Sequence, residues 1–172
     1  MYDFCDNVHV NREKLLESHQ KATADRIKKE KVVLAVQDTT YVDDTHHLCT
    51  EGLGSWSDKN HQGMLLHTTL AVTPERVALG RIDQQIIYRN PEEQGKSEPR
   101  KERPIEEKES YTWLASLEPV AKLQTESSET KIISVGDRES DIDDLFLRSQ
   151  TLNQAVLIRG AWNRVVDHEA KS

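Results

Sequence analysis

Cysteine is scarce in this chain. Cys5 and Cys49 are the two present, neither lies in a recognisable pairing motif, and no secretory signal precedes them. A disulfide scaffold is therefore excluded as the main source of stability, and reduced thiols in a cytoplasmic protein are expected. Long hydrophobic runs are missing too. No apolar stretch approaches the ~18 residues that a membrane helix requires, and the opening MYDFCDNVHV lacks the basic-then-apolar order of a signal peptide. No membrane partner is expected. Positive charge is also in short supply, with 23 Lys and Arg against 30 Asp and Glu and a formal net charge of −7. Non-specific coating of nucleic acid draws on Lys and Arg neutralising phosphates, so this balance argues against a general basic face while allowing a local basic groove. At 172 residues the chain is long enough for one domain with a real core and too short for two comfortable ones.

What the chain does have is a series of short apolar runs set between charged segments. Residues 11–30, NREKLLESHQKATADRIKKE, contain no Gly or Pro; Asn11 is a ready cap, and lysines gather at the end where a helix dipole favours cations. A leading helix is expected there. VVLAVQ (32–37) is an almost unbroken β-branched run that reads as a strand buried on both faces and ending at Asp38. Residues 41–62 read as loop. MLLHTTLAVT and RVALGRIDQQIIYR flank the dipeptide PE, the pattern of two antiparallel strands joined by a tight turn. The charged loop 90–108 holds three prolines and reads as a solvated surface segment. EKESYTWLASLEPVAKLQ follows as a helix that Pro119 should kink or end near Glu118. KIISVG and QAVLIRG read as two further buried strands. Between them SDIDDLFLRSQ reads as a helix capped by Ser140, with Asp141, Asp143 and Asp144 in its first turns. The order helix, strand, long loop, two strands, helix, strand, helix, strand describes a mixed α/β sheet with a leading meander.

Two acids share an address in this layout. Asp38 follows VVLAVQ and Asp137 follows IISVG, each at the carboxyl end of an apolar strand, where open α/β sheets gather their ligand and catalytic groups. If those two strands are parallel neighbours, a spacing of about 4.8 Å brings the carboxylates together. At ~4 Å two such charges repel by about 4 kcal/mol at an effective dielectric of 20, which a divalent cation would offset. Hard oxygen ligands favour Mg²⁺ or Mn²⁺ over zinc, and a pair of such ions is the clamp of phosphodiester chemistry. An Asp after a strand also serves as a helix cap or turn residue, and both readings stand for this pair. Glu139 reads as a cap-region acid or an outer-shell group. His46, His47, His61 and His67 show no metal-ligand spacing with Cys49 and read as surface or core histidines.

VVLAVQDTT with IISVGDRESDI resembles the bacterial insertion-sequence transposases of the DDE class, in particular the insertion-sequence-four-like cut-and-paste family with its Asp-Arg-Glu-x-Asp-Ile motif. GLGSW, GMLLHTTLAVTPERVALG and EEKESYTWL are similar to the segments between that family's two aspartates, and YDFCDNVHVNREKLLESHQKAT to the tail of its N-terminal DNA-binding region. The resemblance implies an RNase H-like mixed sheet in residues 31–172, preceded by residues 1–30 as the end of a DNA-binding region. It implies Asp38 and Asp137 as catalytic, metal-binding members of an acidic triad that hydrolyses a phosphodiester at a transposon end and joins it to target DNA. Arg138 matches the motif arginine. Arg159 and Arg164 stand where the family turns basic residues toward DNA, although a plain surface charge is an equal reading for each. The family's third carboxylate lies far downstream in a Tyr-x-x-x-Arg-x-x-x-Glu helix that this sequence lacks. The expectation is thus a truncated, incomplete core, inactive alone in cleavage and joining. The alternatives are a regulatory fragment that binds DNA or intact transposase, and a stand-alone RNase H-like nuclease recruiting Glu139.

Overall fold

The computed structural model describes residues 4, 6–47, 49–55, 61–89 and 104–163. Helix α1 (Arg12–Ile27) begins as its sequence directs: the Asn11 side chain accepts the Lys14 N–H at 2.9 Å. Strands β1 (Val32–Asp43), β2 (Gly54–Ser55), β3 (Gln62–Val72) and β4 (Ala78–Ile87) follow. Next come helices α2 (Tyr111–Ala115) and α3 (Leu117–Glu126), strand β5 (Lys131–Gly136), helix α4 (Asp143–Thr151) and strand β6 (Ala155–Ile158). Single 3₁₀ turns occupy Ile105–Glu107 and Arg138–Ser140. The chain is a mixed α/β fold. β1 is central: it pairs antiparallel with β3 on one side and parallel with β5 on the other, and β5 pairs parallel with β6. β4 and the two-residue β2 both pair β3 antiparallel.

The register shows where the core lies. Across the strands Val33 pairs Ile132 and Ala35 pairs Ala71, and all four are buried. Ile27 of α1 and Val120 and Leu123 of α3 pack on them. Trp113, Leu114, Leu117 and Leu145 form a second cluster that receives Val156 and Ile158 of β6 on this same side. The intervening rows, Leu34 with Ile133 and Val72, then Val36 with Val135 and Leu70, contribute no buried residue, and Leu70 is exposed. Burial on both faces, expected for the three apolar runs, is therefore corrected. The described helices all cover one face, and the other face is shielded mainly by its neighbours within the sheet. QAVLIRG differs most, because among the described residues β6 pairs only with β5, and its Leu157 is 60% exposed.

Three local expectations are also corrected. β1 does not stop at Asp38. It runs on to Asp43 because β3 keeps pairing it as far as Gly63 after β5 has ended. The helical break comes at Ser116, about two residues before the expected place, since Pro119 has no N–H to give the Ala115 carbonyl. Pro119 itself then sits third in α3, where no intrahelical partner is needed. Ser140 does not cap α4. The helix starts after Ile142 without a side-chain cap, and Ser140 ends the preceding 3₁₀ turn, its hydroxyl donating to the Asp137 carbonyl at 2.6 Å. Asp143 and Asp144 do occupy the first turn of α4. Residues 90–103 of the expected charged loop lie outside the described residues; Ile105–Glu107 form a 3₁₀ turn.

α1 closes one border of the sheet. Its side chains reach the backbone of β4: Arg12 Nη2 donates to the Gln84 carbonyl at 2.9 Å, Gln20 Nε2 to that of Ile82 at 2.8 Å, and Arg26 Nε to that of Leu79. The Arg81 N–H donates back to His19 Nε2 at 3.0 Å. This close approach needs Gly80. Its φ is 140°, and a Cβ there would press on Thr23 Oγ1 and lie 2.9 Å from Arg26 Nη2. Gly80→Ala should lower stability by about 1–3 kcal/mol. Urea unfolding should show a lower midpoint with an unchanged slope; an unchanged midpoint would show that α1 does not need this contact.

Candidate functional site

The last parallel pair of β1 and β5 is Val36 with Val135. Asp38 and Asp137 each lie two residues beyond it, so both keep the phase of that pair and rise from the face that the helices leave open. Asp137 is still extended, with φ −83° and ψ −162°. Both side chains are exposed, and adjacent strands are spaced about 4.8 Å apart. Asp38 has Thr68 as its partner on β3 and makes no side-chain hydrogen bond or ion pair among the described residues. Asp137 is also a turn residue: its Oδ1 accepts the Glu139 N–H at 2.9 Å and caps the 3₁₀ turn. The turn sits tightly on the strand, because a Cβ on Gly136 would fall 2.8 Å from Ser140 Cβ and 3.2 Å from Ile158 Cδ1.

Arg159 extends the row. Its N–H donates to the Gly136 carbonyl at 3.1 Å, continuing the β5–β6 ladder by one residue. It is in phase with Leu157, the partner of Val135, so the row Asp38, Asp137, Arg159 runs across the open face. Arg138 is exposed in the 3₁₀ turn. Arg164 lies outside the described residues. Glu139 stands elsewhere, lining a cleft of about 170 Å³ with Thr39, Tyr41, Arg89, Glu109 and Trp113. Thr39 and Tyr41 pair with the buried His67 and Leu65, so this cleft is on the helix-covered side, opposite the Asp38 row. Across the cleft Arg89 forms a two-pronged ion pair with Glu109, one bond at 2.7 Å. That bond, with a smaller opposing effect of burial, raises the Arg89 pKa above its usual value. Among the described residues, no three His, Cys, Asp or Glu side chains gather into a metal-binding group.

Asp141 departs from its expected place in the first turn of α4. Its carboxylate accepts the N–H groups of Ala161 at 2.6 Å and Trp162 at 3.1 Å. The side chain is turned inward to the chain leaving β6, with 5% of the residue exposed.

His67, read from the sequence as a surface or core histidine, is a core histidine whose partners the sequence did not reveal. It is fully buried on β3 beneath the site. Its Nδ1 lies 2.8 Å from Thr39 Oγ1 and its Nε2 3.4 Å from Gln37 Oε1, with the Trp113 ring edge-on at 4.5 Å. Gln37 and Thr39 flank Asp38, so the imidazole ties down β1 on the side away from the carboxylate. A signal was present: Leu65, His67, Thr69 and Ala71 share one strand phase, and a histidine in a buried phase needs partners.

No family model matches the sequence, and no curated protein matches it. Among solved structures, the chain is similar to one described as the Mos1 Strand Transfer Complex, at 14% identity and a TM-score of 0.34, over 90% of this chain and 44% of that one. The chain thus spans less than half of that neighbour's length.

Burial lowers the His67 pKa from 6.5 to about 4, with the Asp83 carboxylate opposing the shift. The unfolded chain then takes up this proton first as the solution is acidified. The stabilising contribution is complete above pH 6.5 and is lost as pH falls toward 4, by up to about 3 kcal/mol. His67→Gln should flatten the fall in urea midpoint between pH 6.5 and 4 relative to wild type. Parallel curves for the two proteins would contradict this.

Proposed function

We propose that this chain is part of the catalytic core of a DNA transposase of the DDE class, with an RNase H-like sheet and Asp38 and Asp137 as two of its metal-binding carboxylates. One observation carries the proposal. The two acids that the motifs single out, distant in sequence, stand two residues past a shared register pair on adjacent parallel strands, on one exposed face. The motif resemblance supports the same assignment independently.

The donor set suits a hard divalent cation. Two exposed carboxylates supply anionic oxygens without competing nitrogen or sulfur ligands, the chemistry of Mg²⁺ or Mn²⁺. Such an ion, when bound, neutralises phosphate charge and activates an attacking oxygen. Asp38 and Asp137 would hold it. Arg159, next along the row, would take a phosphate of the DNA strand, and Arg138 could do so from the turn. His67 acts at one remove, through Gln37 and Thr39. The stand-alone nuclease reading needs Glu139 beside Asp38, and the position of Glu139 in the cleft on the covered side does not favour it. With two carboxylates in the row, the chain by itself binds metal weakly and does not carry out strand transfer.

Mn²⁺ titration followed by electron paramagnetic resonance tests the assignment. Wild type should bind the ion weakly; Asp38→Ala and Asp137→Ala should each abolish binding, while Asp144→Ala should retain it. Equal binding by all four proteins would remove the metal site. A second measurement concerns Arg159→Ala, which should weaken binding to a short DNA duplex and lower the salt dependence by roughly one counterion. An unchanged salt slope would leave Arg159 as an ordinary surface charge.

A further inference from the structure

The row on the open face continues beyond Asp38 into the other half of the sheet. Asp38 pairs with Thr68 on β3, and Thr68 pairs with Gln84 on β4. Paired residues turn their side chains to the same face, so Thr68 and Gln84 share the open face with Asp38. Arg81 joins them through an irregularity. Three residues apart on a regular strand, Arg81 and Gln84 would point to opposite faces. Between Thr69 and Leu70 the β3–β4 register shifts, so that Thr69 pairs with Asp83 and Leu70 with Arg81, leaving Ile82 as the extra residue. This bulge turns Arg81 to the open face.

The hydrogen bonds in this half of the row run in one direction. Arg81 Nη1 donates to Gln84 Oε1 at 2.6 Å, and because a guanidinium has no acceptor, the amide oxygen is the atom turned toward it. The amide nitrogen is thereby turned to Thr68, and Gln84 Nε2 donates to Thr68 Oγ1 at 3.1 Å. The Arg12 guanidinium steadies Gln84 from α1 by donating to its backbone carbonyl. Since the Thr68 hydroxyl accepts from Gln84, its own proton is left to give, and it meets no acceptor among the described residues. The carboxylate of its strand partner, Asp38, is an acceptor without a donor. The Cβ atoms of such a pair are about 4.5–5.5 Å apart, so a turn about the Asp38 side-chain bonds joins the two groups.

We propose that Thr68 is a positioning residue for Asp38: its hydroxyl donates to the carboxylate and holds it in the orientation that binds a divalent cation, while Gln84 and Arg81 set the direction of that bond. The proposal rests on the metal reading of Asp38 and Asp137 above and adds to it the residues that orient one ligand. A hydroxyl suits this place, because it favours the charged form of the carboxylate without setting a competing cation against it.

Mn²⁺ affinity of the full chain, read by electron paramagnetic resonance, tests this, with urea midpoints confirming that each variant is folded. Thr68→Val keeps the shape and removes the hydroxyl; it should weaken binding roughly 10- to 100-fold. Thr68→Ser should restore most of the affinity. Gln84→Glu separates direction from charge. A carboxylate only accepts, so it draws the Thr68 proton away from Asp38, whereas its added negative charge alone would tighten cation binding. The directed chain requires weaker binding by Gln84→Glu, and this variant carries the test even if Thr68→Val does not fold. Tighter binding by Gln84→Glu, or equal losses in Thr68→Val and Thr68→Ser, would overturn the proposal. If Asp38→Ala abolishes binding while Thr68→Val binds as wild type does, Thr68 has no such role and the metal site stands. If wild type binds no Mn²⁺, or Asp38→Ala binds it equally well, the metal reading and this proposal fall together.

Discussion

The structure depends on the double pairing of β1. β3 holds it antiparallel for ten residue pairs, whereas β5 holds it parallel for only five. The difference in length leaves β1 extending past the end of β5. Where β5 stops, its chain enters the 3₁₀ turn that ends at Ser140, and Asp137 stands at the gap, two residues past the register pair as Asp38 is on the strand that continues. The placement of these two acids is thus a consequence of unequal strand lengths on the two sides of one central strand. A register slip of one residue would turn Asp38 to the covered face and bring Gln37 or Thr39 to the open one.

The two faces of the sheet carry different duties. The covered face holds the hydrophobic core and the polar group of His67, Gln37 and Thr39, with the Trp113 ring edge-on to the imidazole. The open face holds the charged row. Alternation along β1 connects them, since the residues on either side of Asp38 are the ones that His67 grips.

Much of this was legible in the sequence, and the gaps have physical causes. Asn11 announced the start of α1, and KIISVG announced β5, because capping and β-branched runs are local effects. Asp38 and Asp137 each lie two residues past a shared register pair, as their places after two apolar runs suggest, although β1 itself runs on to Asp43. Length was harder to read: residues 41–43 look like loop, and only the partner strand keeps them extended. One-sided burial was hidden as well, since an unbroken apolar run looks the same whether one face or two are covered. Asp141 was misplaced because an acid near a helix start usually serves that helix, while the N–H groups that it binds lie twenty and twenty-one residues away. His67 stood in a buried phase in plain view, but its partners belong to another strand and a helix.

The way α1 lies along β4 has a bearing on how the chain behaves in a crowded solution. An unprotected sheet margin is a template on which other chains can add strands. Here arginine and glutamine side chains occupy the carbonyls at which such growth would begin. The opposite margin is β6, only four residues long, which offers little to extend. Helix α1 therefore guards the long flank against fibril-like self-association, and a cut that removed it would turn a bounded sheet into one that recruits its own kind.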